Sequence, residues 1–264
     1  MPDRSLLNYA QKPGSFESKP LPYLVLYEKY FAPLMDKEIK LLELGVATGI
    51  SMVMWRDYFV NGTIAGLDFA PLYRPEESES RIHIYQGLQN DTKLLTAIAQ
   101  EIAPDGFDII VDDCSHIGEF TKISFWHLFT HHLKPGGIFA IEDWGTGYWG
   151  DNSYYTDGEF FDPTERETVS HWFAKKIPEK IPVRLKKLTC VKKFLKRYQY
   201  TRQYKVHNYG MVGFVTQLIG EVGISDMTSP GEVAKSKGPP KPQKSSRFAH
   251  VLYAPGLVLV TKAL

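Results

Sequence analysis

Apolar positions along the chain fall into two alternating patterns. Short runs at Ile39–Leu44, Thr63–Asp68, Arg81–Gln86, Ile109–Val111 and Ile138–Ile141 read as strands, most of them buried. Between them, apolar residues recur at helical spacing over Ser51–Phe59, over Thr92–Ile102, and through Ile123, Trp126 or His127, and Phe129. Lys134-Pro135-Gly136-Gly137 is expected to end that last helix, because proline and glycine break helices. Strand and helix thus alternate from residue 39 to residue 143. That order predicts an α/β fold with a doubly wound, Rossmann-like sheet, mostly parallel and joined by right-handed crossovers.

The flanks read differently. Residues 1–20 are polar, contain Pro13, Gly14 and Pro20, and read as an arm or loop. Tyr23–Met35 places Leu24, Tyr27, Phe31 and Leu34 at helical spacing, as a helix covering one edge of the sheet. Its aromatics are expected in the core, with a substrate pocket as the alternative. Trp144–Asp162 is an aromatic, acidic loop placed to close over a site, and Glu165–Lys176 reads as a helix. MVGFV at 211–215 looks strand-like and LIGEVG after it amphipathic; KSKGPPKPQK at 235–244 reads as a linker. Phe248–Tyr253 and Leu257–Thr261, around Ala254-Pro255-Gly256, form a closing antiparallel hairpin. The whole, 1–264, reads as one domain: arm and helix 1–38, core 39–143, loop, basic segment and linker 144–247, hairpin 248–264.

With 264 residues and 43% hydrophobic content the chain can bury a sizeable core. Formal net charge is +1, so the molecule as a whole is not built for nucleic acid. The charge is unevenly spread: residues 175–205 hold 12 lysines and arginines against Glu179 alone. This segment suits a phosphate-bearing substrate, an acidic lipid surface or RNA. Equally it suits a solvated helical face or pairing with the acidic part of another copy in a homo-oligomer. Cys114 and Cys190 make no disulfide framework and no zinc cluster. Neither a signal core nor a run long enough to span a membrane is read in the sequence, so a soluble, cytoplasmic protein is expected.

Candidate chemistry gathers at the strand exits. Ile39–Leu44 runs into Gly45-Val46-Ala47-Thr48-Gly49 and a helix, a strand, glycine turn and helix that lets a cofactor approach the backbone. Thr63–Asp68 ends in an acid about 19 residues after Gly49, placed to accept from the ribose hydroxyls of a nucleoside. The fourth strand stops at Asp112-Asp113, with Ser115 and His116 following, and the fifth at Glu142-Asp143. Carboxylates released at one sheet edge repel one another, and a hard divalent cation relieves that. His116 beside such a cation is a candidate proton acceptor. Without a ligand, Asp112 would only cap a helix and Glu142-Asp143 only end a strand. Cys114 has no motif that supports it as a nucleophile.

LLELGVATGISMVMWRDYF, GLDF, GLQND, DDCSH and LKPGGIFAIEDW together resemble class I S-adenosylmethionine-dependent methyltransferases. More closely they resemble the metal-dependent sugar O-methyltransferases of antibiotic pathways, over residues 20–150 and the closing hairpin. The resemblance implies S-adenosylmethionine as cofactor and Mg²⁺ or Mn²⁺ as metal. It places Glu43, Gly45, Ala47 and Gly49 around the methionine part, Asp68 at the ribose, and Gly87 and Gln89 near the adenine. Asp112 would support the cofactor or the loop. Asp113, Glu142 and Asp143 would hold the metal, and His116 would be the general base. The partner implied is a small hydroxylated, glycosylated molecule. Cys114 stands where that group usually has glycine and Leu88 where an acid is common. Ser18-Lys19-Pro20-Leu21-Pro22 replaces a histidine-containing approach to the first helix. Two other readings keep the fold: a methyltransferase on nucleic acid or anionic lipid, and a cofactor-binding subunit without catalysis.

Overall fold

The computed structural model describes residues 5–9, 19–75, 79–148, 210–224 and 245–264. A short helix α1 (Leu6–Tyr9) and α2 (Leu21–Phe31) precede β1 (Lys40–Leu44) and α3 (Ile50–Tyr58). Then come β2 (Thr63–Asp68), β3 (Ile82–Gln86), α4 (Thr92–Ile102), β4 (Phe107–Asp112), α5 (Gly118–His131) and β5 (Leu133–Glu142). Helix α6 (Gly210–Gly223) and strands β6 (Phe248–Ala254) and β7 (Leu257–Lys262) follow. The sheet has seven strands in the order β3-β2-β1-β4-β5-β7-β6. β1 to β5 are parallel, and β7 pairs antiparallel with β5 and with β6. The doubly wound sheet and the closing hairpin are both as the sequence implies. The strand order reverses beside β1 and β4, the place where open α/β sheets bind ligands.

Because side chains alternate across a strand, the sheet has two buried faces. Leu42, Leu44, Ile110, Phe139 and Ile141 face α4, α5 and α6, where Phe125 stacks on Phe129 and meets Phe139 and Phe214 edge-on. Leu41, Ile109, Val111 and Ala140 face α1, α2 and α3, with Tyr27, Phe31, Trp55 and Phe59 clustered there. Helix α2 therefore lies in the layer on a face of the sheet and does not merely cover an edge. Burying aromatics of this size contributes roughly 1.5–3 kcal/mol each before ordering entropy is counted.

Two further expectations are corrected. MVGFV is helical, as the start of α6, and not a strand. Met211, Val212, Phe214, Val215 and Leu218 are all buried, so the run is apolar nearly all round, and periodicity cannot separate such a run from a strand. Gly118 allows the helices to touch: a Cβ there would meet the Gly210 carbonyl carbon at 2.0 Å. The second difference concerns β5, which starts at Leu133 rather than after the glycines. Its pairing with β4 slips between Phe107 and Ile109, and the bulge absorbs the exposed Pro135 and Gly136.

Among the described residues no helix is long and apolar enough to cross a membrane. The expected helix at Glu165–Lys176, the basic segment, Cys190, the linker and most of the aromatic loop lie outside the described residues; Trp144–Tyr148, at the start of that loop, forms a 3₁₀ turn.

Candidate active site

At the carboxyl ends of β1, β2, β4 and β5 a cavity of about 680 Å³ opens. One end is built by the glycine turn. Gly45 has φ 95°, and a Cβ there would meet the Asp113 carbonyl oxygen at 1.9 Å, so only glycine lets the β1 and β4 exits pass. Gly49 caps α3 at φ 80° and aims that helix's N-terminus at the cavity, where Ile50 and Ser51 line it. Asp68 braces the turn: its Oδ2 accepts from the backbone N–H of Val46 at 2.8 Å and of Ala47 at 2.9 Å, and its Oδ1 from Ala70 at 2.8 Å. Asp68 also lines the cavity, together with Phe69 and Leu88.

Acids and a histidine make the other end. Asp113 and Asp143 have side chains 31% and 33% exposed, and His116 Nε2 lies 3.9 Å from Asp113 Oδ1 and 3.8 Å from Asp143 Oδ2. Ligand atoms of these three residues lie within 4.8 Å of one another. Behind them a second acidic group, Glu43, Glu142 and the other oxygen of Asp113, is closed around the ammonium of Lys19. Burial opposes charge on Lys19, but Asp113, Glu142 and Glu43 together outweigh it and hold its pKa well above the usual lysine range. Tyr27 donates to Glu142 Oε1 at 2.6 Å, and Trp55 Nε1 to Glu43 Oε2 at 3.1 Å. Tyr23 donates to Asp143 Oδ1 at 2.6 Å.

Among the described residues the non-glycine positions with positive φ are Ala47, His116 and Asp143, at 43°, 53° and 51°. All three line the cavity. Such backbone costs about 1–3 kcal/mol per residue and persists only where its surroundings over-determine it, which is common at working sites.

Of the sequence-predicted residues, Gly45, Ala47, Asp68, Gln89, Asp113, His116, Glu142 and Asp143 line this one cavity. Glu43, Gly49, Gly87 and Asp112 do not. Glu43 is a buried partner of Lys19, and Gly49 acts through the backbone of α3. Gly87 packs by Leu94. Asp112 is 1% exposed and supports the loop: Gln89 Nε2 donates to both its oxygens at 3.2 and 3.1 Å, and Ser124 Oγ donates at 3.3 Å. Burial pushes its carboxyl up to about 7. Gln89 Oε1 in turn accepts from the Ser115 N–H at 3.0 Å and from its hydroxyl, which fixes the loop that carries His116. The Cys114 thiol is raised, first by burial and then by Asp112, Asp68 and Asp113, and so makes a poor nucleophile.

Sequence reasoning missed Lys19 and the polar ends of Tyr23 and Tyr27. The tyrosines sit four residues apart, on one face of α2, and that spacing was the available signal. A single lysine before a proline offered none.

No family model matches the chain. Among curated proteins it is similar to the mycinamicin VI 2''-O-methyltransferase of Micromonospora griseorubida, 38% identical over 130 residues. That match covers 47% of this chain and 31% of the relative. The demethylmacrocin O-methyltransferase of Streptomyces fradiae is 39% identical over 130 residues, 47% of this chain and 32% of that protein. The matched stretch thus spans about a third of the length of these relatives. Among solved structures, the MycE methyltransferase of mycinamycin biosynthesis, in complex with Mg and SAH, superposes with a TM-score of 0.63 at 23% identity, over 98% of this chain and 54% of that one. These comparisons bear out the resemblance read from the sequence, and MycE bears out the Rossmann-like fold.

Proposed function

We propose that the chain is an S-adenosylmethionine-dependent O-methyltransferase. Its acceptor is a hydroxyl of a sugar on a small natural product, its metal a divalent cation, and its base His116. One observation carries the reading. A single cavity joins a nucleoside-type end, with Asp68 and the glycine turn, to an end with Asp113, His116 and Asp143. The curated relatives support the reaction type: they are named for O-methyl transfer, two of them to rhamnosyl tetracenomycins. The MycE complexes, which hold SAH and Mg and in one case mycinamycin VI, support the cofactor, metal and acceptor class.

The residues present fit these groups. A cavity of about 680 Å³ lies in the usual range for a cofactor or drug-sized ligand. The N-terminus of α3 favours a carboxylate, and Asp68 favours vicinal hydroxyls. Hard carboxylate oxygens on Asp113 and Asp143 suit Mg²⁺ or Mn²⁺, with Glu142, the third acid of the sequence reading, behind them. Bound there, the ion would hold the acceptor hydroxyl and make it more acidic.

This chain's own residues do the rest. The loop fixed by Gln89 holds His116 so that Nε2 faces the space between Asp113 and Asp143. His116 Nε2 would take the hydroxyl proton as the hydroxyl oxygen bonds to the methyl carbon that the cofactor supplies, and the cofactor's carbon–sulfur bond would break with its electron pair on sulfur. The two carboxylates then face the imidazolium. Most of the rate gain is positioning and electrostatics, with no covalent intermediate on the chain.

The test is transfer of a labelled methyl group from S-adenosylmethionine to mycinamicin VI and demethylmacrocin, read by mass spectrometry. The expected result is one methyl added to a sugar hydroxyl, lost in excess chelator and restored by Mg²⁺. Transfer that survives the chelator would remove the metal from the reading.

A further inference from the structure

We propose that Lys19 is a built-in cation of the site. It stays in place when a divalent ion binds, and it confines that ion to the outer carboxylates, Asp113 and Asp143. This rests on the metal-binding reading above and concerns how the acids are divided.

The division is visible in the contacts. An ammonium has three N–H donors. Lys19 Nζ has three carboxylate oxygens around it, from the ends of β1, β5 and β4: Glu43 Oε1 at 2.7 Å, Glu142 Oε1 at 2.8 Å and Asp113 Oδ2 at 3.0 Å. The group is buried at the cavity wall, with side-chain exposures of 3% for Lys19, 0% for Glu43 and 2% for Glu142. The same Glu142 oxygen also takes the Tyr27 hydroxyl, and the second Glu43 oxygen takes Trp55. An ion from solvent would have to break this set to reach Glu142 Oε1.

Asp113 Oδ1 and Asp143 Oδ2 are different. They belong to residues about a third exposed, they face the cavity, and they converge beside His116. Asp113 is shared, one oxygen for each cation, so the ammonium orients the carboxylate that the ion uses.

Charge favours both cations at once. Glu43, Asp113, Glu142 and Asp143 set four formal negative charges against one ammonium. A divalent ion and a sulfonium cofactor together would cancel the remaining three. Expelling Lys19 would leave the cluster short of one positive charge, with Glu43 and Glu142 buried and without a cation beside them. The backbone also resists expulsion. Pro20 is the N-cap of α2, at φ −54° and ψ 142°, with a further proline in the first turn, so the start of the helix sets the direction from which Lys19 enters.

The experiment is lysine acylation of the whole chain with acetic anhydride, mapped by mass spectrometry, without metal and with saturating Mn²⁺. Mn²⁺ uptake is counted in parallel by electron paramagnetic resonance. The expected result is one Mn²⁺ per chain and at least tenfold slower acylation of Lys19 than of exposed lysines in both states. In the same assay Asp143→Asn should weaken Mn²⁺ binding more than tenfold, and Glu142→Gln less than fivefold. Mn²⁺ binding that exposes Lys19 to acylation would overturn the inference and leave the metal reading standing. An equal loss of Mn²⁺ in both variants would do the same. Absence of Mn²⁺ binding to the wild-type chain would overturn both.

Discussion

The Tyr23 hydroxyl donates to Asp143 Oδ1 at 2.6 Å, which ties α2 to the acidic end of β5 across 120 positions of sequence. A helix whose spacing marks it as core packing is also a wall of the site. Tyr23 itself is 6% exposed, so its ring serves the core while its hydroxyl serves the acid.

Removing that hydroxyl should therefore leave the fold and disturb the site. Tyr23→Phe is expected to keep the melting temperature within a few degrees of wild type. A hydrogen bond to a charged group is worth about 1.5–3 kcal/mol, so Mn²⁺ affinity should fall about tenfold or more as Asp143 loses its orientation. Calorimetric titration of Mn²⁺ checks this, and unchanged affinity would show that Asp143 is held by its backbone alone.

His116 should matter for turnover and little for binding. His116→Ala is expected to lower kcat by about 10²–10⁴-fold, the usual worth of a general base, with S-adenosylhomocysteine affinity unchanged. The comparison needs steady-state rates with mycinamicin VI and a calorimetric titration on the same protein. A stable variant with near-normal turnover would leave proton removal to solvent.

Much of this is legible in the sequence. The five-strand core, its acidic exits and the hairpin each follow from local patterns: branched runs, glycine at a turn, carboxylates after a strand. The helical start of α6 was not legible, because Met211–Val215 is buried nearly all round and its period carries no face. Lys19 was not legible either. Its partners Glu43, Asp113 and Glu142 lie 24, 94 and 123 positions away, and only the sheet order brings their oxygens to one point. Asp112 reads from the sequence as supporting the cofactor or the loop, because it adjoins Asp113. Strand alternation sends neighbours to opposite faces, and its bonds to Gln89 and Ser124 are those of the loop role.

That placement makes a prediction about pH. Burial raises the Asp112 carboxyl to about 7 in the folded chain, against roughly 3.9 when unfolded. The folded state then binds more protons between those values, so the contribution of Asp112 to stability is full below about 4 and is lost as pH rises through about 7. Asp112→Asn removes the titration and keeps the shape. The stability difference, variant minus wild type, should grow in favour of the variant from pH 5 to pH 8 in urea denaturation. A constant difference across that range would mean that Asp112 is ionised throughout.

The central claim is that one cavity holds a sulfonium nucleoside and a divalent ion on separate residues. Calorimetric titration of S-adenosylmethionine into the wild-type chain, Asp68→Ala and Asp143→Asn tests it most directly. The account predicts one equivalent bound by wild type, affinity lowered about tenfold or more in Asp68→Ala as hydrogen bonds to a charged group are lost, and near-wild-type affinity in Asp143→Asn. Failure of the wild-type chain to bind S-adenosylmethionine, or equal binding by wild type and Asp68→Ala, would contradict it.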